Sequence, residues 1–110
     1  MSFMDKIDQL IEILLDINAR VDERDDAALD LGKYNDDRAL NALLSIALDP
    51  QGESFIMDVC GESIGEIWVK RNQFDIELYR RMEPSARREL YKCIKEAKPE
   101  WIERYQLDVM

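Results

Sequence analysis

The chain has 110 residues, 46% apolar and 35% charged, with only 4 Gly and 3 Pro. That balance excludes a disordered or low-complexity chain, and the length suffices for one domain with a core that needs no disulfide or metal. A net charge of −9 disfavours direct binding of nucleic acid, and no apolar run approaches the ~20 residues of a membrane span.

The opening Met1-Ser2-Phe3-Met4-Asp5-Lys6 lacks the basic start and long apolar stretch of a secretory signal, which gives the expectation of a cytoplasmic protein. Phe3, Ile7, Leu10, Ile11, Leu14 and Ile17 recur at the spacing of one helix face and predict a first helix over residues 3–18. Asp22 is the expected N-cap of a second helix carrying Ala27, Ala28 and Leu31 and closing near Gly32. Asn35 or Asp36 caps a third, whose buried face is Ala39, Leu40, Leu43, Leu44, Ala47 and Leu48, stopped by Asp49-Pro50-Gln51-Gly52. A fourth helix spans 54–71. Within it Gly61 and Gly65 share a face, and the roughly 1 kcal/mol each sacrifices relative to Ala predicts a close helix approach, most simply by the preceding repeat. A shorter fifth helix holds Phe74, Leu78 and Met82. Pro84 and Pro99 suit first-turn positions of a sixth helix through Leu90, Tyr91 and Ile94 and of a terminal one around Trp101 and Tyr105. Trp68 and Tyr34 are expected in the core, and Trp101 and Tyr105 to dock the last helix.

A shift of 33 residues brings two stretches into register. Ile7, Leu10, Ile11, Ile13, Leu15 and Asp16 land on Leu40, Leu43, Leu44, Ile46, Leu48 and Asp49, and Leu31-Gly32 lands on Ile64-Gly65. Asp25 lands on Asp58, and Cys60 on Cys93, although Gly65 falls on Lys98 and the third copy fades. The expected architecture is an all-α, short right-handed α-α solenoid of six to seven helices in one domain over 1–110. Its clear helix-pair repeats cover about 3–34 and 36–71, and 72–110 form an atypical cap. Both cysteines are expected reduced and buried.

The charge is uneven. Residues 1–66 carry 16 acidic and 5 basic side chains, whereas residues 67–110 carry 8 and 10. Asp22, Asp26 and Asp30 stand four apart on the second helix, and Asp58, Glu62 and Glu66 four apart on the fourth. Like charges at this spacing repel by a few tenths of a kcal/mol per pair. One reading is a solvated face softened by Arg24, Lys33 and Lys70; the other is a pair of rows that receive a basic protein partner. These six acidic residues are the candidate partner-binding set. Catalysis has little support. There is no His, and with it go the usual general base and the commonest transition-metal ligand. Gly61-Glu62-Ser63-Ile64-Gly65 is not a phosphate loop, and Asp22-Glu23-Arg24-Asp25-Asp26 lacks the Gly and closing Glu of a calcium loop. No enzyme activity, cofactor or metal is expected.

The stretch Arg24-Asp-Asp-Ala-Ala-Leu-Asp-Leu-Gly followed by Asp37-Arg-Ala-Leu-Asn-Ala-Leu resembles a HEAT-type repeat over residues 5–70. With Cys60-Gly-Glu-Ser-Ile-Gly-Glu-Ile-Trp and the later Pro-Ser-Ala-Arg-Arg-Glu-Leu and Lys-Pro-Glu-Trp stretches, the chain is similar to small bacterial HEAT-like proteins. Some of these are immunity proteins of polymorphic or contact-dependent toxin systems. The resemblance implies a non-enzymatic inhibitor of a basic toxin, in keeping with the acidic rows. A generic HEAT-like scaffold or adaptor is the alternative, and a lyase-like helical enzyme a third class that requires a pocket with a perturbed carboxylate.

Overall fold

The computed structural model describes residues 5–107. Among them the chain is all-α: seven helices, α1 (Lys6–Leu15), α2 (Val21–Leu31), α3 (Asp37–Ala47), α4 (Ser54–Arg71), α5 (Ile76–Arg81), α6 (Pro84–Ala97) and α7 (Glu100–Arg104), with no strand. No helix is long and apolar enough to cross a membrane among these residues. Helix α4 is the centre. It packs against α2, α3 and α6, while α1 packs against α2 and α3. The helices extend over 49 × 26 × 20 Å.

The first and third helices stop by one device, at positions 33 apart. At the end of α1 the Asn18 N–H, due to the Leu14 carbonyl in a continuing helix, instead donates to Asp16 Oδ1 at 2.9 Å. The vacated Leu14 carbonyl accepts from Arg24 Nε at 3.0 Å. At the end of α3 the Gln51 N–H donates to Asp49 Oδ1 at 2.9 Å, and the vacated Ala47 carbonyl accepts from the Glu83 N–H at 2.8 Å. The short Asp side chain captures the amide two residues on, and a distant donor satisfies the orphaned carbonyl. This ties α1 to α2, and α3 to the start of α6. It also shortens the first helix relative to the 3–18 expected. Ile17 falls beyond it and is 76% exposed rather than on the buried face, and Phe3 lies outside the described residues.

The other ends follow their own chemistry. Asp5 caps α1 by accepting from the Asp8 N–H at 2.9 Å, and Asp36 caps α3 by accepting from the Arg38 N–H at 2.7 Å. Arg38 also spans Asp5, Asp8 and Asp36, each at 3.0 Å. Asp5 is held below the usual carboxylate range, first by the Asp8 amide and then by Arg38. Asp22 is not the N-cap expected for α2. The helix starts two residues earlier, at Val21 after Arg20 as N-cap, and Asp22 sits in the first turn, ion-paired to Arg20 at 2.8 Å. Asn72 closes α4 in the left-handed conformation at φ 53°. Pro84 opens α6, and Pro99 stands just before α7. Phe74 precedes α5 and gathers Trp68, Tyr79, Trp101 and Tyr105 around its ring, with centroids 4.7–5.5 Å apart. This aromatic cluster docks α7 onto the core. Trp68 is buried and Tyr34 half-buried against the core.

The helical glycines correct one expectation. Gly61 and Gly65 make room for the following helix α6, not for the preceding repeat. A Cβ at Gly61 would overlap the Ala86 carbonyl and lie 2.8 Å from Ala86 Cα, and one at Gly65 would lie 2.8 Å from Cys93 Cβ. The approach to α2 uses Gly32 instead, whose missing Cβ admits Ser63 while Ser63 Oγ donates to the Ala28 carbonyl at 2.7 Å. Since the atom against Gly61 is backbone, Gly61→Ala cannot be accommodated by a rotamer change. It is expected to lower unfolding free energy by about 1–3 kcal/mol despite its better helix propensity. Urea denaturation reads this directly, and a variant as stable as the parent would refute the tight α4–α6 approach.

Candidate binding surface

With three of its sides packed, α4 keeps one strip in solvent. Asp58 and Glu62 are exposed on it and Glu66 is half-buried. Because α6 is drawn in by Gly61 and Gly65, this strip forms one wall of a groove of about 280 Å³ lined by Glu62, Glu66, Glu89, Lys92, Cys93 and Glu96. Glu89, Cys93 and Glu96 stand four and three apart, and so share one face of α6. Four carboxylates therefore meet one cation, and that cation, Lys92, is paired with Glu89 at 3.0 Å.

The structure brings together only part of the predicted set. Glu62 and Glu66 line the groove, whereas Asp58 and the α2 row Asp22, Asp26 and Asp30 do not. Two of the α2 residues have their own counter-ions, Asp22 with Arg20 and Asp30 with Lys33 at 3.3 Å. Among the described residues Asp58, Glu62 and Glu66 have no such ion pair. From α2 it is Asp25, the residue that falls on Asp58 in the 33-residue register, whose charge reaches Glu62. Sequence reasoning missed Glu89 and Glu96 because it placed the glycine contact on the wrong side of α4. The fall of Cys60 on Cys93 was the available sign that α6 faces this region.

The groove's electrostatics are unfavourable to the free protein. Glu62 remains exposed, yet partial loss of water around its carboxyl, then the charges of Glu66, Glu89 and Asp25, raise its pKa above the ordinary glutamate value. Burial, then Glu66, Glu62 and Glu96, pushes the Cys93 thiol up to about 11. Burial likewise pushes Cys60 up to about 12. Both thiols are free and carry their protons at neutral pH, which makes them poor nucleophiles and metal ligands. Cys60 is buried as expected; Cys93 is half-exposed at the groove. No group of three or more His, Cys, Asp and Glu is placed to hold a metal ion among the described residues. The groove can attract and seat cationic groups.

No family model, no curated protein and no solved structure matches this chain.

A raised carboxyl pKa means that the folded state binds the proton more tightly than the unfolded state. The resulting stabilisation is present below the ordinary glutamate range and is lost as pH rises through the raised value. At neutral pH ionised Glu62 thus opposes folding. Glu62→Gln is expected to stabilise the protein at pH 7 by roughly 0.2–0.5 kcal/mol, a range set by solvent screening, and the gain should vanish near roughly pH 4 where the parent is itself protonated. Urea denaturation at both pH values tests this. A variant no more stable than the parent at pH 7 would contradict the crowding of charge at Glu62.

Proposed function

We propose that the protein is a non-enzymatic binding protein, an immunity protein that neutralises a cognate bacterial toxin by occluding its basic, nucleic-acid-binding active site. The observation that carries the reading is the groove between α4 and α6, where Glu62, Glu66, Glu89 and Glu96 surround a space holding one already paired cation. Arginine or lysine side chains entering it would offset both the desolvation and the neighbouring negative charges that raise the pKa of Glu62. Asp58, one turn before Glu62 on the exposed strip, extends the field toward the amino-terminal end of α4.

Inhibition on this reading needs no chemistry. A toxin nuclease presents a cationic cleft to phosphates, and the acidic surface competes for the same cations while the helical body fills the entrance. Long-range attraction sets the association rate, and desolvated contacts at the centre set the lifetime of the complex. The HEAT-like resemblance supports such a use, since repeat surfaces built from equivalent helices commonly hold partners.

The test is calorimetric titration into the carboxy-terminal domain encoded immediately upstream, in inactivated form, at low and moderate salt. Nanomolar binding that weakens with salt is expected. No heat at either salt concentration would sink the inhibitor reading and leave the scaffold alternative. Replacing Asp58, Glu62 and Glu66 together by Lys is expected to slow association by about tenfold or more while leaving the circular dichroism spectrum unchanged, because none of the three is in the core. An unaltered association rate in stopped flow would remove the acidic strip from the mechanism.

A further inference from the structure

Carboxylates steer a partner but do not hold it, and the structure has exposed apolar surface elsewhere. Among the described residues six large hydrophobics are exposed, and four of them, Ile13, Leu15, Ile17 and Val21, fall within nine residues at the α1–α2 turn. Ile17 is 76% exposed, Val21 53% and Leu15 47%. Ile13 lines a separate hollow with Glu12 and Glu23, whereas Leu15 and Ile17 share one cleft; single exposed apolar residues are ordinary, but two that share a cleft offer a contact surface. Ile17 is exposed because the Asp16 side chain ends α1 at Leu15, two residues before it.

Leu15 and Ile17 also line a cleft of about 270 Å³ with Ile46 and Ile56, whose charged members are Arg24, Asp49 and Glu53. Arg24 is only 5% exposed, and its guanidinium is engaged with the Leu14 carbonyl and with Glu53 at 3.2 Å. Asp49 and Glu53 are both exposed; the Asp49 carboxylate accepts from the Gln51 N–H, and the Glu53 side chain is 44% accessible even while paired. Asp16, between Leu15 and Ile17, is exposed as well. A cleft that mixes the aliphatic side chains of Leu15, Ile17 and Ile46 with polar groups, and whose two carboxylates outnumber its one paired cation, fits an aliphatic side chain flanked by cations. The cleft opens at the amino-terminal end of α4, about 13 Å along the helix axis from Glu62.

We propose that the cleft formed by Leu15, Ile17 and Ile46, rimmed by Asp49 and Glu53, is the anchor site for a cationic protein segment bearing an aliphatic side chain. This inference rests on the acidic-surface reading and adds the contact that gives the complex its lifetime.

A capped peptide with one leucine flanked on each side by two lysines serves as the probe, against a serine-for-leucine control and a glutamate-for-lysine control. The readout is the NMR methyl spectrum of the intact protein. Saturable shifts at Leu15, Ile17 and Ile46 with the leucine–lysine peptide alone are expected. Ile17→Asp should weaken that binding by about tenfold, although its added negative charge favours the lysines; Ile17→Ser should weaken it similarly. Either exposed substitution leaves the fold unaltered. Equal methyl shifts with the serine peptide, or no loss with either variant, would overturn the anchor. In that case shifts at the Glu62 and Glu66 amides would still report the acidic groove, so the two readings fail separately. Equal binding of the glutamate peptide would overturn the charge selection. Methyl shifts that depend on protein concentration without peptide would assign the cleft to a second copy of the chain and overturn the proposal.

Discussion

Helix α4 must satisfy three neighbours at once, and the rest of the molecule is arranged around how it does so. Its 18 residues bury Ile56, Met57, Val59, Cys60, Gly61, Ser63, Ile64, Gly65, Ile67 and Trp68, an apolar content spread too widely around the axis to leave one polar half. Such a helix belongs in the interior. The closest contact is with α6, where the α4 backbone at Gly61 lies against the backbone at Ala86. Two Gly in a helix interior sacrifice about 2 kcal/mol of propensity, so the packing gained by bringing Leu90 and Ile94, both fully buried, onto α4 must exceed that. The solvent strip that remains is narrow, and the sequence fills it with Asp58, Glu62 and Glu66.

The same constraint gathers charge at the groove. Were α6 held at an ordinary interhelical distance, Glu89 and Glu96 would be separated from Glu62 and Glu66 by the width of a side-chain layer and screened by water. Close approach moves them to one groove and strips water from Cys93 and Glu62 together, which is why both titrate above their ordinary values. The glycines and the perturbed carboxylate therefore have a single cause. The segment 67–110, with more basic than acidic residues, still turns Glu89 and Glu96 toward the acidic half. Overall charge by segment is a poor guide to where the field is strongest.

Much of the fold is legible in the residues. The span 54–71 coincides with α4, Asp36 caps α3 and Pro84 opens α6, because these signals are local: a cap, a turn, a fixed proline φ. The end of α1 is less legible. Ile17 continues the apolar period, and only the competition of Asp16 for the Asn18 amide, completed by Arg24 ten residues on, removes it from the helix. Asp22 looks like a cap but lies two residues past the actual one, Arg20. For the candidate surface, Glu62 and Glu66 are legible as a row, but their partners are not. Glu89 and Glu96 lie in the stretch where the third copy of the repeat fades, and a 33-residue register does not state which face of a glycine pair its neighbour uses.

The two helix-ending aspartates show how a repeat can be conserved in mechanism while its consequences diverge. Asp16 and Asp49 both capture the amide two residues on. Each leaves a carbonyl in need of a donor, and the donors differ: a guanidinium at Leu14 and a backbone amide at Ala47. A backbone amide brings no charge. The guanidinium does, and a cation buried to 5% requires an anion nearby to offset its desolvation. Glu53 supplies that charge, and its position before α4 is thereby fixed at the edge of the cleft that Ile17 leaves open. A local competition for one amide thus determines where an apolar residue is exposed and which carboxylate stands beside it.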